Sequence, residues 1–400
     1  MTFSFRVQRV LTRIYLRYIS GVVYLLAGIS LLFLNKPAKP LKKLLILKPD
    51  AAGDYILVRN FLRILRNSEK YRDYHITFCG NAVYRELAEK FDGDCFDDHI
   101  WIRKNRIYLD IFYYTRIAGS IAGRFSVVIH PVFSREFLFD YFAKIGGVEE
   151  RIGFMGDTVN INPVYARVAS KWYTRLINID PSVIFEVDRN RIFFETILEI
   201  PAPVVRPFFE PGSLEKVKPM GVDGKYAVIF PGAQLSFRKW PASKFAVISD
   251  FVYREYGLKV VIAGGPDDTA LATGIAGLSE FPLINLAGKT RFPELIGLIS
   301  QSSLLVTNDT VAVHIGAALN IPMVVVSQMN HYGRFVPYPV AAGCNMACVV
   351  PGNYENRDPV ELHSMFINGS TVEIASITTG QVSDAIIAVM TAAADKSFKG

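Results

Sequence analysis

Cysteine is scarce in this chain, with four in 400 residues, at Cys79, Cys95, Cys344 and Cys348. That excludes a disulfide framework, and the single Cys-x3-Cys pair lacks the two further ligands of a zinc site. Free thiols in a reducing compartment follow. Charge is also thin, at 20% of residues against 50% apolar, which excludes a disordered chain and leaves enough apolar side chains for sizeable cores. There is no short internal repeat or low-complexity tract, and no zinc-finger, homeodomain or RNP spacing. The net charge of +7 therefore points away from nucleic acid and towards an anionic membrane surface or phosphate-bearing substrates. The Gly264-Gly265 turn lacks the full Gly-x-Gly-x-x-Gly spacing, so a dinucleotide dehydrogenase is not supported.

The longest apolar run, Ile19–Leu34, is short for a perpendicular membrane span, which takes ~20 residues. Arg6, Arg9, Arg13 and Arg17 precede it, and Lys36, Lys39, Lys42 and Lys43 follow. Basic residues on both flanks suit a helix lying in or dipping into an anionic leaflet. A soluble helix docked on the first domain and a cleaved signal are the other two readings. No Ala-x-Ala site precedes the start of the fold near Leu44. The first two readings leave the rest of the protein cytoplasmic, peripheral to or anchored at the inner face of the cytoplasmic membrane.

From Leu44 onward, short apolar strands alternate with amphipathic helices, which predicts mostly parallel, doubly wound sheets. Strands fit at Leu44–Leu47, His75–Cys79, His99–Ile102, Ser126–His130 and Arg151–Gly153. Helices fit at Tyr55–Arg66, Val83–Lys90, Leu109–Ala122 and Ser134–Ile145. A Pro- and Gly-rich stretch from Pro201 to Gly224 then reads as a linker. The alternation restarts with strands at Tyr226–Phe230, Lys259–Ala263, Leu283–Asn285, Leu304–Thr307 and Met323–Val326. Helices there fit at Ser243–Tyr256, Thr269–Gly277, Phe292–Ser300 and Val311–Leu319. The expected organisation is a basic, apolar segment (1–43), a first doubly wound α/β domain (44–205) and a linker (206–222). A second such domain (223–375) follows, and a closing helix and tail (376–400) end the chain.

Two strand-to-helix junctions carry the chemistry. In Lys48-Pro-Asp-Ala-Ala-Gly-Asp54 an apolar strand runs into a Gly-containing loop, and Asp54 stands at a helix entrance, where an aspartate ordinarily caps the helix. In Val306-Thr-Asn-Asp-Thr-Val-Ala-Val-His314 a strand leads through a polar turn into a small-residue helix. Its start offers unpaired N–H groups and a positive dipole end to a diphosphate. Asp309 is placed to take ribose hydroxyls, and Gly316, Ala317 and Ala318 let the helix lie close to the sheet. Between the junctions come Pro231-Gly-Ala…Arg238-Lys239-Trp240-Pro241, Gly264-Gly265-Pro266 and Asn285-Leu-Ala-Gly-Lys-Thr290.

In this order the five segments resemble glycosyltransferase family 9, the heptosyltransferases of lipopolysaccharide core assembly and their relatives, over roughly Leu44 to Pro339. The resemblance implies an α/β, GT-B architecture of two Rossmann-like doubly wound domains facing across a cleft, acceptor bound by the first (44–205) and nucleotide-sugar by the second (223–375), here with an apolar amino-terminal helix. It implies inverting transfer with no metal and no cofactor, the nucleotide-sugar being a substrate. Asp54 matches the base that deprotonates the acceptor hydroxyl. Arg238 and Lys239 match the cationic position that meets the leaving diphosphate. Many members carry Lys two residues before the Trp, so which of the two touches phosphate stays open. Asp309 matches the donor-site aspartate, and the amides of Thr310, Val311 and Ala312 would face the diphosphate. Val311-Ala312 departs from the frequent Gly-Pro or Gly-Leu, which puts donor identity in doubt.

Other residues are read as follows from type and position. His314 bonds either phosphate or the helix interior, and Lys289 and Thr290 either serve the donor or cap a helix. Lys48 helps through phosphate, tunes Asp54, or is a solvated lysine. Asp50, beside Gly53, accepts bonds from the acceptor or holds the loop. Trp240 and Pro241 read as packing, as do Tyr108, Phe112, Tyr113 and Tyr114, which stand at helical spacing. Arg103, Lys104 and Arg106 meet an anionic glycolipid or form a solvated loop. The function expected is transfer of a sugar, heptose from ADP-heptose, onto a lipopolysaccharide-type or other lipid-linked acceptor at the inner-membrane surface, with no nucleic acid involved. A nucleotide-sugar epimerase or hydrolase of the same fold and a non-catalytic nucleotide-sugar-binding paralogue are the rivals.

Overall fold

The computed structural model describes residues 42–217, 221–367 and 369–397. The apolar run Ile19–Leu34 lies outside them, and among the described residues no helix is long and apolar enough to cross a membrane. Contacts divide the chain into two compact units. The first runs to Val183 and regains Arg189–Pro203; the second holds Ile184–Asp188 and the chain from Val204 onward.

The first unit is built from β1 (Lys43–Lys48), α1 (Ala52–Asn67), β2 (His75–Asn81), α2 (Arg85–Phe91), β3 (Asp98–Ile102), α3 (Lys104–Leu109), α4 (Ile111–Ile121) and β4 (Phe125–His130). It continues through α5 (Phe137–Gly146), β5 (Gly147–Phe154), α6 (Pro163–Ser170) and β6 (Arg175–Ile177), and most of α7 (Glu186–Leu198) belongs to it. Its strands are all parallel, in the order β3-β2-β1-β4-β5-β6. β1 is central, pairing Leu45 with Thr77 on one side and Val128 on the other. Helices cover both faces of such a sheet, which is why Leu44, Leu45, Ile46 and Leu47 form an unbroken apolar run, all fully buried.

The second unit repeats the plan with β7 (Tyr226–Phe230), α8 (Ala242–Tyr256), β8 (Lys259–Ile262), α9 (Thr269–Leu278), β9 (Leu283–Asn285), α10 (Phe292–Ser300) and β10 (Leu304–Asn308). It ends with α11 (Val311–Leu319), β11 (Met323–Val326), β12 (Met346–Val349), α12 (Pro359–Phe366) and α13 (Thr379–Ser397). The parallel order is β12-β11-β10-β7-β8-β9. α13 closes this unit's own core, contributing Val382, Ile386 and Val389 beside Trp240, Phe245 and Ile262.

Two departures from expectation have local causes. The helix expected over Leu109–Ala122 breaks at Asp110, whose Oδ1 accepts the Tyr113 N–H at 2.9 Å and caps α4. That break leaves Phe112 83% exposed instead of in the core, while Tyr114 is fully buried. α6 was not read from its spacing, yet Asn162 caps it ahead of Pro163, the residue best suited to a first helical position.

The close seat of α11 rests on Gly316. A Cβ there would stand 2.8 Å from Leu305 Cδ2 and 3.0 Å from Met323 Cε, side chains of the two strands beneath. Gly316→Val is therefore expected to destabilise the second unit by roughly 1–3 kcal/mol through overpacking, read as a lower urea midpoint at unchanged slope.

Candidate functional site

Both sheets reverse their winding direction between their first and fourth strands, and ligands of such sheets bind outside the strand carboxyl ends at that point. In the first unit this lies between β1 and β4; in the second, between β7 and β10. Sequence-expected residues converge at each place.

At the end of β1, Lys48 is 1% exposed, which rules out the solvated-lysine reading. Its Nζ donates to Pro131 O at 2.9 Å, just beyond β4, and pairs with Asp50 Oδ2 at 2.9 Å. Asp50 also holds the loop through its backbone, since its carbonyl accepts Asn81 Nδ2 at 3.1 Å. Its Oδ1 is sealed from water and has no hydrogen-bond partner. Burial pushes this carboxyl up to about 7; Lys48 opposes the shift and the Asp54 charge adds to it. Gly53 and Asp54 lie in the first turn of α1. The Asp54 carboxylate is half-buried and has no hydrogen-bond partner among the described residues, so it is not spent on capping. It stands at the positive end of the helix dipole.

The rotation of α1 is fixed by groups that the sequence did not single out. Asp92 accepts Tyr55 Oη at 2.7 Å and takes Arg59 through two bonds, at 3.0 and 2.7 Å, all buried. Tyr55 stacks on Tyr84 at 4.5 Å, and Tyr84 Oη donates to the Lys48 carbonyl. The helix that carries Asp54 and the loop that carries Asp50 are thus tied to one buried network.

In the second unit, Asn308 at the end of β10 donates its Nδ2 to Pro231 O at 2.7 Å, just beyond β7. Its Oδ1 accepts the Trp240 N–H at 3.3 Å. Trp240 is fully buried and donates its indole N–H to Ile377 O, so it is a core residue. This chain geometry brings Arg238 to Asp309. Arg238 Nη2 lies 2.6 Å from Asp309 Oδ2 and 3.2 Å from its backbone carbonyl oxygen. Lys239 turns elsewhere and pairs with Asp268 at 2.7 Å. Asp268 also accepts the Gly265 N–H at 3.1 Å. A Cβ at Gly232 would meet Asp268 Oδ2 at 2.1 Å, so only glycine lets the β7 loop pass this carboxylate.

Asp309 directly precedes α11. Thr310 caps that helix, its Oγ1 accepting the Ala312 N–H at 3.2 Å. Ala312 is buried and Val311 half-buried, so only Val311 narrows the approach to the helix start. His314 is 4% exposed and bonds Tyr338 Oη at 2.9 Å. Lys289 donates to Asn285 O at 2.9 Å, within its own turn, and Thr290 follows it just ahead of α10. His331, unremarked in the sequence, enters the field of Arg238 and Asp309. Burial holds its imidazole below the ordinary range, Arg238 adds to that, and the Ile367 carbonyl opposes it.

In the first unit, Lys104 pairs with Glu136 at 2.5 Å and Arg106 with Asp110 at 2.5 Å, whereas the Arg103 side chain is exposed. All three border or open α3 rather than a loop.

Residues 150–355 match the model of glycosyltransferase family 9 (heptosyltransferase). This chain belongs to glycosyltransferase family 9. Lipopolysaccharide heptosyltransferase 3 of Escherichia coli is 39% identical over 107 residues, 26% of this chain and 31% of that protein. Lipooligosaccharide heptosyltransferase 2 of Haemophilus influenzae is 26% identical over 219 residues, 52% of this chain and 62% of that protein. The matched stretches thus span less than two thirds of either relative's length. A family 9 glycosyltransferase from Veillonella parvula shares the fold with a TM-score of 0.65 at 19% identity, covering 90% of this chain and 99% of that one. The E. coli heptosyltransferase WaaC with ADP follows at 0.63 and 15%, covering 87% and 99%. The fold of this family 9 chain is that of the GT-B glycosyltransferases.

The charges around Asp50 give a direct test. Its carboxyl should titrate near pH 7, neutral below and ionised above, followed by 13C NMR. Asp54→Asn removes a neighbouring negative charge and should lower that midpoint; Lys48→Met removes the opposing cation and should raise it.

Proposed function

We propose that this chain is an inverting glycosyltransferase that moves heptose from ADP-heptose onto a lipopolysaccharide-type, lipid-linked acceptor at the inner face of the cytoplasmic membrane. The observation that carries the reading is the Arg238–Asp309 pair at the start of α11. A cation, a carboxylate and a helix start meet there, at the point of the sheet where nucleotides bind. WaaC, solved with ADP and with ADP-2-deoxy-2-fluoro heptose, supports the choice of donor.

In this mechanism Asp54 accepts the proton of the acceptor hydroxyl as its oxygen attacks the anomeric carbon. The bond from that carbon to the diphosphate oxygen breaks, and the electron pair leaves with ADP. Attack opposite the leaving group inverts the configuration. Negative charge grows on the diphosphate, and Arg238 with the amides of Thr310 and Val311 stabilises it, which takes the place of a metal ion; the Ala312 N–H, also expected there, is taken by Thr310 Oγ1. Asp309 holds Arg238 before donor arrives and turns to the ribose or sugar hydroxyls once the guanidinium engages phosphate. Lys239, held by Asp268, supports the loop. Lys48 and Asp50 set the charge around Asp54. His314, Lys289 and Thr290 line or brace the donor side.

The test is Asp54→Asn. Loss of a general base should lower transfer by about 100-fold or more, while ADP-heptose affinity stays within about threefold of wild type, as measured by calorimetry. Undiminished transfer would remove Asp54 as the base. Free heptose formed without acceptor would point to a hydrolase.

A further inference from the structure

The first unit carries an apolar corner that the transfer reaction does not use. α3 ends at Leu109, which is 81% exposed, and Phe112 near the start of α4 is 83% exposed. Single apolar residues at a surface are ordinary, but two large ones three positions apart at one turn are not. The corner is held rigidly. Ile107 and Tyr114 on the same helices are buried, and Tyr114 stacks on Phe142 at 5.0 Å. Asp110 caps α4, and Tyr113 Oη accepts the Arg103 N–H at 2.9 Å. These are therefore not frayed ends whose side chains could fold back into the core.

The surrounding charge is mostly basic. From Arg103 to Arg116 there are four basic residues and one acidic. Glu136 engages Lys104, and Asp110 engages Arg106, whose guanidinium also lies 4.6 Å from the Tyr113 ring centre. Arg103 and Arg116 are exposed with no ion-pair partner among the described residues. Half-buried Tyr108 and Tyr113 flank the tip. Leucine and phenylalanine ringed by arginine and tyrosine is the composition that suits the boundary between acyl chains and anionic headgroups.

We propose that the corner between α3 and α4 inserts Leu109 and Phe112 into the surface of an anionic lipid bilayer, with Arg103 and Arg116 on the headgroups. This surface is independent of which sugar the second unit takes.

The test uses the full chain and vesicles of phosphatidylcholine with or without phosphatidylglycerol, free of any glycan acceptor. Because the amino-terminal segment is also basic and apolar, a local probe is needed. Phe112→Cys bearing an environment-sensitive dye, with Cys344→Ser and Cys348→Ser, should shift to the blue on anionic vesicles and be quenched by lipid-borne bromine. Leu109→Glu with Phe112→Glu should lower partitioning onto anionic vesicles by about tenfold or more, while transfer to a delipidated, soluble acceptor is unchanged. Three results would overturn the proposal: a dye that stays water-exposed on bound protein, a double variant that partitions like wild type, or a double variant whose only change is loss of a dimer. The last would assign the corner to a second copy of the chain.

Discussion

A parallel sheet wound outward from its first strand sends its connections in opposite directions from that strand and from the fourth, leaving a crevice at their carboxyl ends. The chemistry of both units depends on this constraint, and both brace the crevice in one way. A buried donor at the end of one strand reaches across to the carbonyl of a proline just past the other: Lys48 to Pro131 in the first unit and Asn308 to Pro231 in the second. Proline has no N–H with which to extend the ladder, so each strand ends there. The braces stand beside the junctions that carry Asp50, Asp54, Arg238 and Asp309.

The electrostatics of the two crevices differ in kind. In the second unit each cation already has a carboxylate: Arg238 has Asp309 and Lys239 has Asp268. A half-buried charge without a partner is expensive, so the pairs hold these side chains in place. In the first unit the balance is incomplete. One buried ammonium faces Asp50 while Asp54 stands close enough to raise Asp50 further. Burial and the Asp54 charge together outweigh Lys48 and Lys104, and the Asp50 carboxyl is pushed up to about 7.

The strands were legible where parallel pairing buries both faces, because Leu44–Leu47, Leu304–Val306 and Met323–Val326 then have to be continuous apolar runs. The edge strands β6 and β12 were not. β6 has three residues, β12 is only partly buried, and neither imposes a pattern. The strand-to-helix junctions were legible through Asp54 and Asp309, whose type suits a helix start, whereas Gly53, read as part of the loop, already lies in the first turn of α1. Their partners were not. Asp92 lies 33 positions from Arg59 and Asp268 lies 29 from Lys239, and no local spacing encodes such pairs. His314 shows the same limit, since only the fold reveals Tyr338 beside its ring. Phe112 misled because helical spacing holds only while the helix continues, and Asp110 ends it.

The central claim is that Arg238 at the start of α11 binds the diphosphate of an ADP-linked donor. The most direct measurement is thermal stabilisation by ADP, UDP and GDP, each in wild type and in Arg238→Gln. Ligand at 100 times its dissociation constant adds about 2.7 kcal/mol of stability, a shift that is easily seen. The account predicts that ADP stabilises the wild type most and that Arg238→Gln loses most of that response. Equal stabilisation of both proteins, or no response of the wild type to any nucleotide, would contradict it.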